Sequence, residues 1–314
     1  MYHLLAILTV CIWGTTFVST KILLSEGLAP ADIFLLRFAL AYVGMAAVHP
    51  RNWRCNTWRD EMLMVLAGLT GGSLYFLTEN TALQLALAGN VSLVVCLAPL
   101  ITVFFALISR SNEHPTARLW VGSLIALGGV AFVVGGDAGQ NASHPLLGGV
   151  LALSAAGLWA VYQLIIKPLG DRYGAAMLTR KVFGYGLITI LVYLLLIRLF
   201  PVTGCTDGTS VGMNLAILAR PVVWGNLLFL GVVASLVCYF VWNKVVERLG
   251  SVVSANYIYL NPLTTCLFSA LFLGEHLTLA MLTGGCAILS GVYLAVGRKK
   301  GNGRFLFGNR NGRI

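Results

Sequence analysis

The chain has 314 residues; 58% are hydrophobic and only 10% charged, with a formal net charge of +10 and a mean hydropathy of +0.85. Soluble domains carry about 25% charged residues, so this composition excludes a water-soluble globule, which could not cover its surface with polar groups. The solvent for most of the chain is lipid.

Met1 to Thr20 contains no ionised side chain and no basic region precedes it, which predicts an uncleaved first helix and not a signal peptide. Cutting the rest at Pro, Gly and charge clusters predicts helices over 2–24, 31–48, 61–82, 90–110, 118–136, 146–167, 174–199, 222–245, 252–273 and 277–297. Stretches this apolar match the roughly 20 residues a helix needs to span a bilayer. They are too long and too uniform for the alternating strands of a barrel. The fold class expected is all-α integral membrane, with ten transmembrane helices.

Basic residues orient the bundle. With the N-terminus in the cytoplasm, the inner connections and the tail collect Arg51, Arg54, Arg59, Arg110, Arg118, Lys167, Arg172, Lys244, Arg248, Arg298, Lys299, Lys300, Arg304, Arg310 and Arg313. The outer connections hold only Arg198 and Arg220. This is the positive-inside bias, and it puts both termini in the cytoplasm. The positive charge then reports topology and anionic lipid, and no nucleic acid is expected as a partner. The seven cysteines form no Cys-x-x-Cys pair and the five histidines are scattered, so no metal or cofactor is expected.

The chain also repeats itself. Glu-His-x-Thr occurs at Glu113 and again at Glu275, each followed by a Gly nine positions after the Glu. In that register Gly122 meets Gly284 and Gly129 meets Gly291; one residue out of it, Pro99 meets Pro262, Gly68 meets Gly231 and Asn80 meets Asn243. Earlier, Trp13 meets Trp159, Lys21 meets Lys167, and Arg37 can be laid on Arg180. Five helices per half is an odd number, so the second copy enters the membrane from the opposite side. The expectation is two inverted-topology repeats, a design associated with secondary transporters. The boundaries expected are 1–137 for the first repeat, 138–143 for an external linker, 144–297 for the second repeat and 298–314 for a basic cytoplasmic tail.

The ordered set "WGTTFVSTK", "LLRFALA", "TALQLALAGNVSLVVCLAPLITVFFALI", then a Glu and a Gly-rich helix, resembles the EamA-type members of the drug/metabolite transporter superfamily. The resemblance covers about residues 4–297. It implies ten helices in a cell (inner) membrane, cytoplasmic termini, and a central cavity lined mainly by helices 1, 3 and 4 with 6, 8 and 9. It implies movement of amino acids, related metabolites or drugs, often as export. The partners expected are a small-molecule solute and the bilayer; a homo-oligomer is compatible with the sequence.

Polar and aromatic residues at membrane depth are the candidates for function. Glu79 reads either as a partner for a substrate amine or a protonatable group, or as an interfacial carboxylate paired with Lys21. Trp13 and Thr16 on helix 1, Tyr75 on helix 3, Trp159, Tyr162 and Gln163 on helix 6, Tyr239 and Trp242 on helix 8, and Tyr257 and Asn261 on helix 9 would supply aromatic walls with a few hydroxyls and amides. Such walls suit an apolar or amphipathic organic solute, although Trp and Tyr also form interfacial belts. Pro99 and Pro262 read as hinges or as static kinks. Lys21, Arg37, Lys167 and Arg180 read as snorkelling cations or as gate charges. Glu113 and Glu275 read as carboxylates suited to the N-terminal ends of the helices that follow them, capped by Thr116 and Thr278, or as gates. The other classes weighed are a membrane-embedded enzyme, for which no catalytic motif is found, and a non-transporting scaffold, for which no soluble interaction domain is found.

Overall fold

The structure is a computed structural model, described here over residues 1–49, 54–109, 117–136, 143–200 and 216–296. Among these residues every regular element is a helix and there is no strand. The first half begins with α1 (Tyr2–Ser25) and α2 (Pro30–Val48). A continuous run, Trp58–Leu85, follows: α3 (Trp58–Gly68), a π-helical turn (Leu69–Ser73) and α4 (Leu74–Leu85). Then come α5 (Ala88–Val95), α6 (Ala98–Ser109) and α7 (Ala117–Gly136). The second half begins with α8 (Pro145–Leu199). The run Pro221–Leu249 comprises α9 (Pro221–Leu228), a π-helical segment (Phe229–Val237) and α10 (Cys238–Leu249). It is followed by α11 (Ser251–Ala255), a 3-10 segment (Asn256–Leu260), α12 (Asn261–Phe272) and α13 (Leu279–Val296).

Five helical runs are long and apolar enough to cross a membrane: Tyr2–Ser25, Pro30–Val48, Trp58–Leu85, Pro145–Leu199 and Pro221–Leu249. The chain is therefore a multi-pass membrane protein. A straight helix of 55 residues would be about 80 Å long, far beyond the roughly 30 Å hydrocarbon core. α8 avoids this by turning at Gly174, whose φ of 76° and ψ of 157° are non-helical. A side chain would strain that left-handed φ, and glycine has none. The break separates the two helices that the sequence predicts over 146–167 and 174–199.

The span predicted over 90–110 is two helices, α5 and α6, divided at Cys96–Leu97. The span predicted over 252–273 is likewise interrupted, by the 3-10 segment 256–260. Pro99 is the second residue of a new helix, α6. Pro262 is the second residue of α12 but follows the 3-10 segment without a break, and the Ile258 carbonyl four residues before it accepts from Cys96 Sγ at 3.3 Å.

The two π segments sit at matching positions of the two halves. In each, a carbonyl freed from the regular ladder takes an aromatic donor from the other half. The Tyr239 hydroxyl donates to Gly71 O at 2.7 Å, and Trp13 Nε1 donates to Ala234 O at 2.9 Å. Buried amides tie neighbouring helices as well: Asn80 Nδ2 donates to Pro30 O at 3.1 Å, and Asn243 Nδ2 to Thr179 Oγ1 at 2.8 Å.

The outer faces are apolar. Leu124, Phe132, Leu191, Leu195, Leu267 and Leu271 are exposed, while Thr9, Thr20, Asn80 and Asn243 are buried. This fits a lipid surround, in which the apolar side chain costs nothing outside and the polar one needs a protein partner.

Candidate functional site

Where the halves meet, α1, α2, α4, α5, α8, α10 and the start of α12 enclose a cavity of about 30 Å³. Trp13, Thr16 and Phe17 of α1 and Tyr75, Phe76 and Glu79 of α4 form one side. Trp159 of α8, Tyr239 of α10, Ile258 and Asn261 form the other, with Arg37 of α2 and Val95 of α5. This volume holds about one or two waters and no larger solute.

The aromatic rings pack on one another. Trp13 meets Trp159 edge-on with centroids 5.4 Å apart, and lies 5.6 Å from Tyr239 and 5.1 Å from Trp242. Tyr75 lies 5.2 Å from Trp159. Such pairs are worth about 0.5–1.5 kcal/mol each beyond their burial. They give a rigid wall in which Trp13, held by its bond to Ala234 O, occupies the middle.

Two ionisable side chains face this space. Glu79 is 5% exposed, and its Oε1 accepts from the Tyr75 hydroxyl at 2.9 Å. Arg37 is 3% exposed; its Nε donates to Ser235 Oγ at 2.6 Å, and its guanidinium lies 4.3 Å from the Phe76 ring centroid. The ring face offsets part of the cost of burying the cation. Asn261 is 6% exposed, and its Oδ1 is buried with no hydrogen-bond donor.

Among the residues singled out from sequence, Trp13, Thr16, Tyr75, Glu79, Trp159, Tyr239 and Asn261 line this cavity. Tyr162, Gln163 and Trp242 stand behind the wall, each fully buried. Tyr162 donates to Asn243 Oδ1 at 2.7 Å. With its carbonyl turned toward the indoles, Gln163 accepts from Trp242 Nε1 at 3.1 Å and Trp159 Nε1 at 3.2 Å. Tyr257 is hydrogen-bonded to His3 at the start of α1.

The charges distribute differently from the expectation. Lys21 does not pair with Glu79. Its Nζ lies 3.0 Å from Glu275 Oε1 and 2.7 Å from Ala86 O. Glu275 also accepts from the backbone amides of Ala88 (2.9 Å) and Gly89 (3.3 Å). Its carboxylate thus serves the positive N-terminal end of α5 and not the helix that follows it. Thr278 alone caps α13, accepting from Met281 N at 3.1 Å. Arg37 is no snorkelling cation but a wall of the cavity. Lys167 reaches Asp171 at 2.6 Å and Glu247 O at 2.7 Å, and Arg180 donates to His49 O at 2.9 Å. Glu113 lies outside the described residues.

A cluster that the sequence reading did not single out joins α3 to α8. Asp60 takes Arg172 and the Tyr173 hydroxyl, both at 2.7 Å. Glu61 takes the fully buried Lys181, the Tyr185 hydroxyl and Cys55 N. Acidic residues are commonplace in the first turn of a helix, so nothing along the chain marks this pair; the packing of α3 on α8 supplies their cations.

An aromatic-walled cavity with two buried charges, lined by membrane helices, defines the class: a membrane protein that handles small solutes. The chain belongs to the EamA-like transporter family, whose model matches it over residues 1–135 and 146–297. It is 28% identical to an uncharacterized transporter of Archaeoglobus fulgidus, over 95% of this chain and 98% of that one. It is 28% identical to a probable terminal-alkyne amino-acid exporter of Streptantibioticus cattleyicolor (95% and 94%), and 25% identical to a probable amino-acid metabolite efflux pump of Escherichia coli (93% and 93%). A solved crystal structure, 21% identical, superposes with a TM-score of 0.56 over 94% of this chain and 96% of that one, and so shares the fold.

Proposed function

We propose that this protein is a secondary transporter that exports amino acids or related metabolites or drugs across the cell (inner) membrane by alternating access, with both termini in the cytoplasm. The observation that carries the reading is the aromatic-walled cavity where the two halves meet, with Glu79 and Arg37 in its lining. A buried, unpaired charge in a membrane protein is costly unless something binds it.

The halves are read as inverted five-helix repeats. In support, the family model matches each half separately. α7 and α13 also touch in a self-complementary way. Gly129 lies against the carbonyl of Gly284, and Gly291 against that of Gly122. Under the repeat, Gly122 and Gly129 correspond to Gly284 and Gly291, so the contact maps onto itself as a two-fold contact should. With this symmetry, rocking one half against the other would expose the cavity to each side in turn.

Lys21 stands one helical turn beyond Phe17 of the cavity wall, toward the face taken as external. We read its tie to Glu275 and the start of α5 as the closed outer gate.

The test is reconstitution in liposomes with a screen of labelled amino acids and cationic drugs. Flux of at least one solute is expected, and it should be lost in Glu79→Gln. No flux of any solute, with the protein folded, overturns the transporter reading.

A further inference from the structure

Arg37 and Glu79 share one cavity, yet neither satisfies the other. The ion pairs among the described residues include none that joins them, and none that gives either one another partner. The hydrogen bond of the Arg37 side chain is made by Nε, so among the described residues its two terminal nitrogens donate to nothing. Glu79 uses Oε1 for Tyr75, which leaves Oε2 without a donor. Asn261 Oδ1, in the wall with them, is a third unmet acceptor.

Arg37 and Glu79 attract each other through space but form no ion pair, so each keeps polar atoms open to the cavity in a low-dielectric site, where an opposite charge held at short range would stabilise it further. A ligand carrying both charges would satisfy both at once. We propose that Arg37 and Glu79 are the two poles of a zwitterion site: the Arg37 guanidinium holds the ligand carboxylate, and Glu79 with Asn261 Oδ1 holds its ammonium. This rests on the transporter reading and sharpens it to one class of solute. The planar guanidinium presents two donors to a carboxylate in a fork that a lysine cannot reproduce. The ammonium has three donors, for Glu79 Oε2, for Asn261 Oδ1 and for one further acceptor. The rest of the ligand would lie against Trp13 and Trp159, which choose by shape and apolarity and not by charge. Since about 30 Å³ admits no amino acid, the two halves must part at this wall as the ligand binds.

The site then rejects molecules with one charge. A substrate lacking the carboxylate leaves Arg37 unpaired, and one lacking the amine leaves Glu79 unpaired; each omission strands a buried charge. Cationic drugs are therefore poor ligands.

The experiment is a titration of the purified full-length protein, read by the fluorescence of its cavity tryptophans. The probes are the twenty standard L-amino acids and, for those that bind, the carboxamide (cation only) and the deaminated acid (anion only). At least one amino acid is expected to bind, and its two single-charge analogues to bind about tenfold more weakly or worse. Arg37→Gln should weaken the amino acid about tenfold while changing the carboxamide by less than about twofold. Glu79→Gln should weaken the amino acid and the carboxamide but spare the deaminated acid. If Arg37→Gln does not fold, the wild-type comparison of the three ligands still decides. Equal binding of the amino acid and its carboxamide overturns the proposal, as does the absence of amino-acid binding in folded protein. The two readings fail separately. Without transporter activity no solute moves in liposomes, whereas without a zwitterion site some solute moves but with another charge preference.

Discussion

Lys181 is fully buried and reaches Glu61, which also receives the Tyr185 hydroxyl and the Cys55 amide. Removing the carboxylate from a buried ion pair costs about 3–5 kcal/mol. Glu61 keeps some exposure, with its side chain 21% accessible. Glu61→Gln is therefore expected to destabilise by about 3 kcal/mol, the lower end of that range, seen as a lower thermal midpoint in detergent. The double variant Glu61→Gln, Lys181→Met removes both charges and should recover most of the loss. An unchanged midpoint in the single variant would show that the pair contributes nothing. At the same scale, the sequence offered Glu79 as a partner for a substrate amine or as an interfacial carboxylate, and Arg37 as a snorkelling or gate charge. Which residue each would face was not legible, because a side chain's partner depends on which helices become neighbours.

At the scale of elements, α7 and α13 approach each other closely through glycine. A Cβ on Gly129 would stand 2.7 Å from Gly284 O and 2.8 Å from Ile288 N. Both are backbone atoms, so no rotamer change relieves the clash and the helices must part. Gly129→Val is expected to lower stability by about 1–3 kcal/mol or more. Gly128, its neighbour, faces open space, and Gly128→Ala should be neutral within about 0.5 kcal/mol. Thermal unfolding of both variants checks the contrast, and equal effects would refute the contact. The helical segments themselves were readable, since lipid demands apolar residues all round a span and Gly, Pro and charge punctuate the ends. The breaks inside two of them were only half readable. Pro99 and Pro262 marked the places, but a proline opening a new helix and a proline kinking an old one look alike in sequence.

For the whole molecule, the outer gate proposed above is the tie of Lys21 with Glu275 and of Glu275 with the amides of Ala88 and Gly89. Near the start of the Trp58–Leu85 run, Asp60 and Glu61 of α3 grip Arg172 and Lys181 of α8. The first tie joins three chain segments around one carboxylate. Glu275→Gln removes the charge that holds Lys21 and weakens its bonds to the α5 amides. Accessibility of a cysteine placed at Thr16 to an impermeant reagent from the external side should rise about fivefold or more, as expected when a closed state loses about 1 kcal/mol. Labelling and transport both equal to the parent protein would rule out a latch.

The sequence alone determined the solvent, the helical class, the positions of the helices and the likeness between the halves. These depend on hydropathy, punctuation and self-similarity, which are local or countable along the chain. Tertiary structure decided that Lys21 meets Glu275 and not Glu79, that Arg37 lines the cavity, and that Gln163 serves two indoles behind its wall. The Lys21–Glu275 and Arg37–Ser235 contacts span 254 and 198 residues of chain, where the low dielectric lets any nearby opposite charge or unmet donor compete for the same group. Helix packing alone chooses among them.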